Sequence, residues 1–213
     1  RHLQEYSQSL SFMKRRYELV HKIAPFTWLD DKYYLEYIFY KKLRYPLNLR
    51  DPKTFNEKIN WMKLYDRNPL YQQLADKFLV RNYVKNRIGP QYLVPLVACY
   101  DRPDQIEWDA LPSKFVIKPN HGAGWIVIND GSGLFDHENA IIQINTWLST
   151  NFYKIYREWQ YKNIERKILI EDLLTTNSPF GLVDYKFFCF NGSPQYVQLN
   201  IDRFTDFSLL FLD

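Results

Sequence analysis

The sequence has little cysteine and little histidine. Its 213 residues include only two cysteines, Cys99 and Cys189, which lie far apart in apolar surroundings. Such a pair is neither a disulfide framework nor a metal signature, so it indicates a reducing compartment. The four histidines, at positions 2, 21, 121 and 137, have no metal-ligand spacing, and no Ser/His/Asp or Cys/His arrangement appears. The sequence therefore predicts neither a zinc site nor a hydrolase triad.

Long hydrophobic runs are missing too. No stretch approaches the roughly 18 consecutive apolar residues that a membrane-spanning helix needs. No apolar signal segment lies near the start. These absences predict a cytoplasmic protein. The sequence begins with Arg1 rather than Met and stops within the apolar run Leu209–Asp213, which predicts that it is truncated and that the natural chain continues.

Positive charge only slightly exceeds negative charge. Lys and Arg number 28 and Asp and Glu 24, and the resulting net charge of +4 suits anionic ligands without requiring nucleic acid. We therefore predict no nucleic-acid partner. Aromatic residues make up 18% of the chain and are spread along it, which favours a core role over a base-stacking face. Three basic runs are typical of solvated helix faces and only sometimes of polyanion or lipid contacts: Lys14–Arg16, Lys41–Arg44 and Lys162–Lys167.

Helical periodicity dominates the chain up to Gly89, and short β-type runs follow it. Thr54 followed by Glu57 predicts a capping box, and Asn191-Gly192 predicts a hairpin turn between two strands. This order of elements predicts an α+β fold rather than a regular doubly wound sheet. The predicted helices cover about residues 4–22, 31–44, 54–65, 70–87 and 136–161, and the predicted strands cover residues 92–100, 114–118, 125–128, 167–171, 184–190 and 195–201.

The most informative segment is a loop that contains two of the seven glycines. Gly122 and Gly124 follow a predicted strand that ends at Lys118. Glycines in such a loop let the backbone approach a ligand and expose N–H groups, and a lysine beside them adds positive charge, which together suit a polyphosphate. An ordinary hairpin is the alternative. A second strand follows the loop, unlike the strand–loop–helix order of Walker and dinucleotide sites.

Five ordered blocks of the sequence resemble one known family. They are Asp51–Trp61, Ala75–Tyr83, Phe115–Gly124, Ile168–Leu174 and Asp184–Gly192. Together they resemble the TupA-like ATP-grasp family of cell-surface polysaccharide and teichuronopeptide biosynthesis, some members of which are labelled glycosyltransferases. The similarity covers about residues 40 to 213.

The resemblance implies an ATP-grasp-like fold, in which a helical N-terminal region precedes two small α+β lobes. The implied domains are a helical N-terminal region at 1–50, a helical pre-grasp region at 51–110, a first lobe with the glycine loop at 111–172, and the incomplete start of a second lobe at 173–213. The first helices would pack beside the grasp or dock the enzyme on a membrane-bound biosynthetic assembly.

The resemblance also implies ATP-binding roles for residues around the glycine loop. Lys77 and Lys118 match two nucleotide lysines, and a solvated helix lysine is the alternative for Lys77. Gly122 and Gly124 would frame the lid over the triphosphate. His121 would bond a phosphate or stabilise the loop. Lys118 carries a further argument, because a lysine in an apolar strand needs an anionic partner if it points inward.

The segment after the next strand matches the linker that binds adenine in this family. Backbone groups of Asp172 and Leu173 would read the adenine edge. Glu171, through its carbonyl or its side chain, would accept from the adenine amino group. The alternative is a strand end that carries two solvated acids.

Later residues match the ribose and phosphate positions. Asp184 matches an acidic residue that faces the ribose. Lys186 shares its strand face, and would bind phosphate or pair with Asp184. Arg203 would contact phosphate or an acidic acceptor. Asp206 and Asp213 do not fit the family's metal pattern, so we nominate no metal ligand within this chain and expect the Mg²⁺ ligands beyond residue 213.

The implied reaction uses ATP and Mg²⁺ to join a carboxylate to an amine through an acyl-phosphate. The partners would be the nucleotide and a carboxylate or sugar substrate of a surface polymer. One alternative is a sugar-nucleotide glycosyltransferase, against which we note that no Asp-x-Asp pair is present. The other is a non-catalytic protein with a nucleotide-binding remnant.

Overall fold

The computed structural model describes residues 28–178, 181–201 and 208–213. The helix predicted over residues 4–22 lies outside the described residues. The chain divides into two compact units, one with the described residues up to Leu173 and the other with those from Leu174 onward. Most of the nominated site residues belong to the first unit.

Two helices open the described part of the chain. Helix α1 covers Asp31–Leu43 and helix α2 covers Phe55–Tyr65, close to the predicted bounds. The predicted capping box is confirmed: Thr54 Oγ1 accepts from the Glu57 N–H at 3.2 Å, and the Glu57 carboxylate accepts from the Thr54 N–H at 2.8 Å. These bonds satisfy N–H groups that a helix start leaves without partners, so α2 begins at Phe55.

The prediction of one continuous helix over residues 70–87 is wrong. Two helices occupy this range, α3 over Leu70–Ala75 and α4 over Leu79–Arg87. Asp76 has an extended backbone, and its carboxylate accepts from the N–H groups of Phe78 at 2.8 Å and Leu79 at 3.2 Å. A side chain that caps a new helix competes with continuation of the old one. Lys77 therefore lies in a break between helices.

The sheet of the first unit has four strands. They are β1, Leu96–Tyr100, β2, Phe115–Pro119, β3, Val127–Asn129, and β4, Ile168–Asp172. All pairings are antiparallel, and the order is β1-β4-β2-β3. Strand β1 starts later than predicted because Pro90–Tyr92 forms a short 3₁₀ helix. Across β2 and β4, Val116 lies opposite Glu171 and Lys118 lies opposite Leu169.

The prediction of one helix over residues 136–161 is also wrong. Helix α5 covers His137–Ser149 and helix α6 covers Phe152–Tyr156. The break occurs because the Asn151 side chain caps α6 by accepting from the Lys154 N–H at 3.2 Å. Arg157, in the left-handed conformation with φ 52°, then ends α6.

The hydrophobic core covers one face of the first sheet, so only the strand residues on the other face are available to a site. Its buried apolar side chains are Ile106, Phe115, Ile117, Ile144, Trp147, Ile168 and Ile170. These residues place one face of the sheet against α5. Because side chains alternate along a strand, Lys118 and Glu171 lie on the opposite face. The candidate site is built on that face.

The second unit contains a three-stranded antiparallel sheet in the order β5-β6-β7. Its strands are β5, Asp184–Phe190, β6, Ser193–Ile201, and β7, Ser208–Leu212. The predicted hairpin is confirmed. Asn191 and Gly192 connect β5 to β6 with φ values of 51° and 80°. Two positive φ values in a two-residue loop are typical of a type I′ turn, which suits the twist of paired strands.

The α+β class is confirmed, because the described residues combine helices with two sheets in which all strand pairings are antiparallel. The predicted strands after Gly89 are all present in the described ranges, with altered ends. Within those same ranges, no helix combines the length and the apolar character needed to cross a bilayer.

Candidate functional site

Lys118 has an anionic partner on the polar face of the first sheet. Its ammonium forms an ion pair with the Glu171 carboxylate. The two residues are diagonal neighbours on adjacent strands, a spacing that long side chains can bridge. Lys118 thus has an anionic partner, and this anion comes from the chain itself. The alternative of two solvated acids at this strand end is wrong for Glu171, whose exposed fraction is 5%.

A second cation holds the same carboxylate. Arg81 of α4 places Nη1 3.1 Å from Glu171 Oε1, and its Nη2 donates to the Val94 carbonyl at 2.6 Å. Glu171 therefore lies between two cations, one on each carboxylate oxygen. The sequence analysis missed Arg81 as a site residue. No local signal could have found it, because Glu171 and the Val94 carbonyl are distant from Arg81 in the sequence.

Lys77 approaches the cluster from the break between α3 and α4. Its ammonium donates to the Gly122 carbonyl oxygen, and its backbone N–H donates to the Asn120 carbonyl at 3.3 Å. Burial and, secondarily, the charge of Lys118 lower the pKa of Lys77 to about 8, while Asp76 and Glu171 act in the opposite direction. The structure thus brings two lysines close together beside the glycine loop.

Asn120 joins the glycine loop to the helix break. Its side chain is fully buried. The amide nitrogen donates to Asp76 Oδ1 at 3.0 Å and to the Glu165 carbonyl at 2.8 Å, and the amide oxygen accepts from the Lys167 N–H at 2.7 Å. Because buried amide groups without partners are costly, this network fixes the start of the loop relative to Lys77.

His121 anchors the other side of the loop. The side chain is buried, with 3% exposed, and burial is the main cause that lowers the pKa of His121 to about 4. Its Nε2 lies 3.0 Å from the Trp147 carbonyl oxygen, so Nε2 carries the proton of the neutral ring and donates it. Nδ1 is then an acceptor and offers no N–H to a phosphate. This geometry supports the loop-stabilising alternative for His121.

The two glycines of the loop face different surroundings. A Cβ atom on Gly122 would lie 2.5 Å from the Cε3 and Cζ3 atoms of Trp125, whose ring is itself packed against Trp147 and Phe152. A Cβ atom on Gly124 would meet nothing within 4 Å, although its φ of 76° is left-handed. The absence of a side chain at Gly122 thus lets the Trp125 ring lie close to the loop backbone. Gly124 provides a left-handed turn at a position open to solvent.

Gly122→Ala should destabilise the protein by about 1–3 kcal/mol, because Trp125 must leave its packed position. Gly124→Ala should cost about 1 kcal/mol, the strain of a left-handed backbone with no steric clash. Urea unfolding of both variants measures the difference. A larger loss in Gly124→Ala than in Gly122→Ala would contradict this description of the loop.

The remaining nominated residues lie at the end of β4 or beyond it. Asp172 ends β4, and its N–H donates to the Pro95 carbonyl at 3.1 Å. Leu173 follows it. Asp184 and Lys186 belong to β5 in the second unit, where they lie opposite Asn200 and Gln198. Arg203 lies outside the described residues. The structure therefore brings together Lys77, Lys118, Gly122 and Glu171 within one unit.

The cluster fits a polyanion better than it fits a metal ion. Lys77, Arg81 and Lys118 supply three positive charges around Glu171 and Asp76. Across the described ranges, no group of three or more His, Cys, Asp or Glu side chains could hold a metal ion. The three cations of this cluster suit phosphate groups.

The comparison with protein families agrees with this geometry. The family model described as TupA-like ATPgrasp matches residues 57–213, which is 157 of the 213 residues. No curated protein and no solved structure matches the chain. The matched range contains the helix break, the glycine loop and β4, and it confirms the resemblance read from the sequence. The chain belongs to the TupA-like ATP-grasp family.

Proposed function

We propose that this protein binds ATP through Lys77, Lys118 and the glycine loop. We further propose that it is an ATP-dependent carboxylate–amine ligase of cell-surface polysaccharide biosynthesis that acts in the cytoplasm. The observation that carries the proposal is that two lysines lie beside the glycine loop, Lys77 through its bond to the Gly122 carbonyl and Lys118 near the end of β2. Like charges repel, and the depressed pKa of Lys77 reflects in part the charge of Lys118. A polyanion between them removes this repulsion.

The two lysines are held by groups of the protein itself. Lys118 pairs with Glu171, and Lys77 donates to the Gly122 carbonyl. Phosphate oxygens would replace both partners. Arg81 would keep Glu171 paired after Lys118 turns to the phosphates. The loop would supply backbone N–H groups, so the protein's contribution is positioning and charge neutralisation.

The proposed reaction has two steps, which are phosphoryl transfer to the carboxylate and displacement of phosphate by the amine. An oxygen of the substrate carboxylate bonds to the γ-phosphorus as the bond to ADP breaks, which gives an acyl-phosphate. The substrate amine then bonds to the acyl carbon, loses a proton and expels inorganic phosphate, which leaves an amide. The carboxylate would be a uronic acid or an amino acid of the surface polymer. Mg²⁺ bound with the nucleotide would help to neutralise the charge of the phosphates.

The test is the release of ADP from ATP in the presence of paired substrates. A panel of uronic acids and amino acids is supplied as carboxylates, with amino acids and amino sugars as amines. A ligase releases ADP at a stimulated rate only when both an acid and an amine are present. Turnover of UDP-sugars without any ATP requirement would overturn the proposal in favour of a glycosyltransferase.

ATP affinity should fall as the pH rises above about 8. In the free protein Lys77 loses its proton in that range, whereas bound phosphates favour the charged form, so binding must take up a proton. The dissociation constant should then rise by roughly tenfold per pH unit. Lys77→Arg should abolish this dependence, since a guanidinium stays charged. Calorimetric titration with ATP at several pH values above about 8 measures this dependence. An ATP affinity of the unchanged protein that stays constant over these pH values would exclude Lys77 from the site.

A further inference from the structure

Residues 40–65 carry an excess of positive charge as large as that of the whole protein. This segment contains seven Lys or Arg residues and two Asp or Glu residues, an excess of five, whereas the whole chain has a net charge of +4. The segment covers the end of α1, the connection and α2. We call its exposed part the basic-aromatic surface. This surface is separate from the Lys77–Lys118 cluster in sequence.

The two acids of the segment do not neutralise it. Asp51 pairs with Lys53 at 2.8 Å, and buried Glu57 is used in the capping box. Across the described ranges, no carboxylate lies within ion-pair distance of four cations of this surface, which are Lys42, Arg44, Arg50 and Lys58. Their charge is therefore available to an anionic partner.

Large apolar side chains are exposed among these cations. On α2, Phe55, Lys58, Trp61, Met62 and Tyr65 follow a spacing that returns to one side of a helix. Phe55 is 64% exposed and Tyr65 is 50% exposed, and Trp61 and Met62 are also exposed. A helix that presents rings and a thioether to solvent on one side has an apolar face that no other described residue covers.

The end of α1 adjoins this face. The Tyr45 hydroxyl lies 3.3 Å from Thr54 Oγ1, at the start of α2, and the Tyr45 ring packs edge-on against Phe39 of α1. These contacts hold the connection against both helices. Tyr40, Leu43 and Arg44 are exposed at this end of α1, next to the connection, and we include them in the basic-aromatic surface.

We propose that the basic-aromatic surface docks the protein on an anionic phospholipid bilayer. Tyr and Trp rings favour the headgroup level, apolar side chains enter the acyl boundary, and lysines reach lipid phosphates. Protein interfaces are depleted in lysine, whereas five of the seven cations here are lysines. Single-stranded nucleic acid would favour stacking rings and arginine, and Leu43 and Met62 have no face on which a base can stack.

The test is sedimentation of the full chain with phosphatidylcholine vesicles that contain or lack phosphatidylglycerol. The protein should bind only the anionic vesicles and should be released by high salt. The triple variant Lys42→Gln/Arg44→Gln/Lys58→Gln should lower the partition coefficient by roughly a hundredfold, since each charge contributes about fivefold. A matched control, Lys85→Gln/Arg87→Gln/Lys114→Gln, removes equal charge at exposed positions outside the surface and should bind nearly as the unchanged protein does.

A second readout reports contact with the acyl chains. Brominated lipid chains should quench Trp61, so the quenched fluorescence should fall in Trp61→Phe and persist in Trp108→Phe. Equal binding to both vesicle types, or equal losses in the two triple variants, would overturn the proposal. Binding of an oligouridine probe in place of vesicles, lost in the first triple variant alone, would assign the surface to nucleic acid instead. Melting temperatures close to that of the unchanged protein confirm that the variants fold.

Discussion

Lys118→Ala should weaken ATP binding by roughly ten- to a hundredfold. The variant removes a charged hydrogen bond to phosphate, which contributes about 1.5–3 kcal/mol, and tenfold in affinity corresponds to about 1.4 kcal/mol. The substitution should reduce the ATP affinity more than the stability of the fold, because Glu171 keeps its second cation, Arg81, at 3.1 Å. Calorimetric titration with ATP measures the affinity.

Lys114→Ala is the matched control for this experiment. Lys114 is exposed and immediately precedes β2, the strand that carries Lys118, so both variants lose one lysine in the same part of the chain. The control should bind ATP as the unchanged protein does. Equal affinities in Lys118→Ala and the unchanged protein would remove Lys118 from the site. A large loss in Lys114→Ala would show that net charge, rather than a positioned lysine, governs binding.

Glu171→Gln should destabilise the folded protein by about 3 kcal/mol. The Glu171 side chain is 7% exposed and compensates the charges of Arg81 and Lys118. Removal of one partner from a buried ion pair typically costs about 3–5 kcal/mol, because the opposite charges remain buried without compensation. Lys118 is partly exposed, which places the expected loss near the lower end of that range. The free energy of unfolding in urea measures it.

The neighbouring acid provides a control for Glu171→Gln. Asp172 ends the same strand and is more exposed than Glu171, so Asp172→Asn should change the free energy of unfolding by less than about 1 kcal/mol. ATP should also stabilise Glu171→Gln strongly, since its phosphates supply the missing negative charge. A small loss of stability, similar in both variants, would contradict the role of Glu171 as the counter-ion of the cluster.

Local signals in the sequence predicted two particular elements of the fold. Thr54 and Glu57 predicted the start of α2, and Asn191-Gly192 predicted the hairpin of the second unit. Each of these features depends on residues within a few positions of one another. The apolar pattern around Lys118 also indicated that this lysine would need an anion if it points inward. The sequence could not show which residue is that anion, because Glu171 lies on another strand.

The errors have a common physical cause, which is the capping side chain. The carboxylate of Asp76 and the amide of Asn151 each accept from N–H groups at the start of a new helix, where apolar periodicity continues without a sign of interruption. The break at Asp76 matters for function, because it places Lys77 beside the glycine loop. Arg81 was missed because its partners, Glu171 and the Val94 carbonyl, are defined by tertiary packing. The periodicity of apolar residues indicates which side chains are buried, but it does not indicate which charged side chains form ion pairs.

Titration of the full chain with ATP tests the central claim most directly. Calorimetry compares the unchanged protein with the double variant Lys77→Ala/Lys118→Ala, and circular dichroism confirms that the variant is folded. We predict that the unchanged protein binds ATP and that the double variant loses this binding. Absence of binding to the unchanged protein, or undiminished binding to a folded double variant, would contradict an ATP site at the two lysines and the glycine loop.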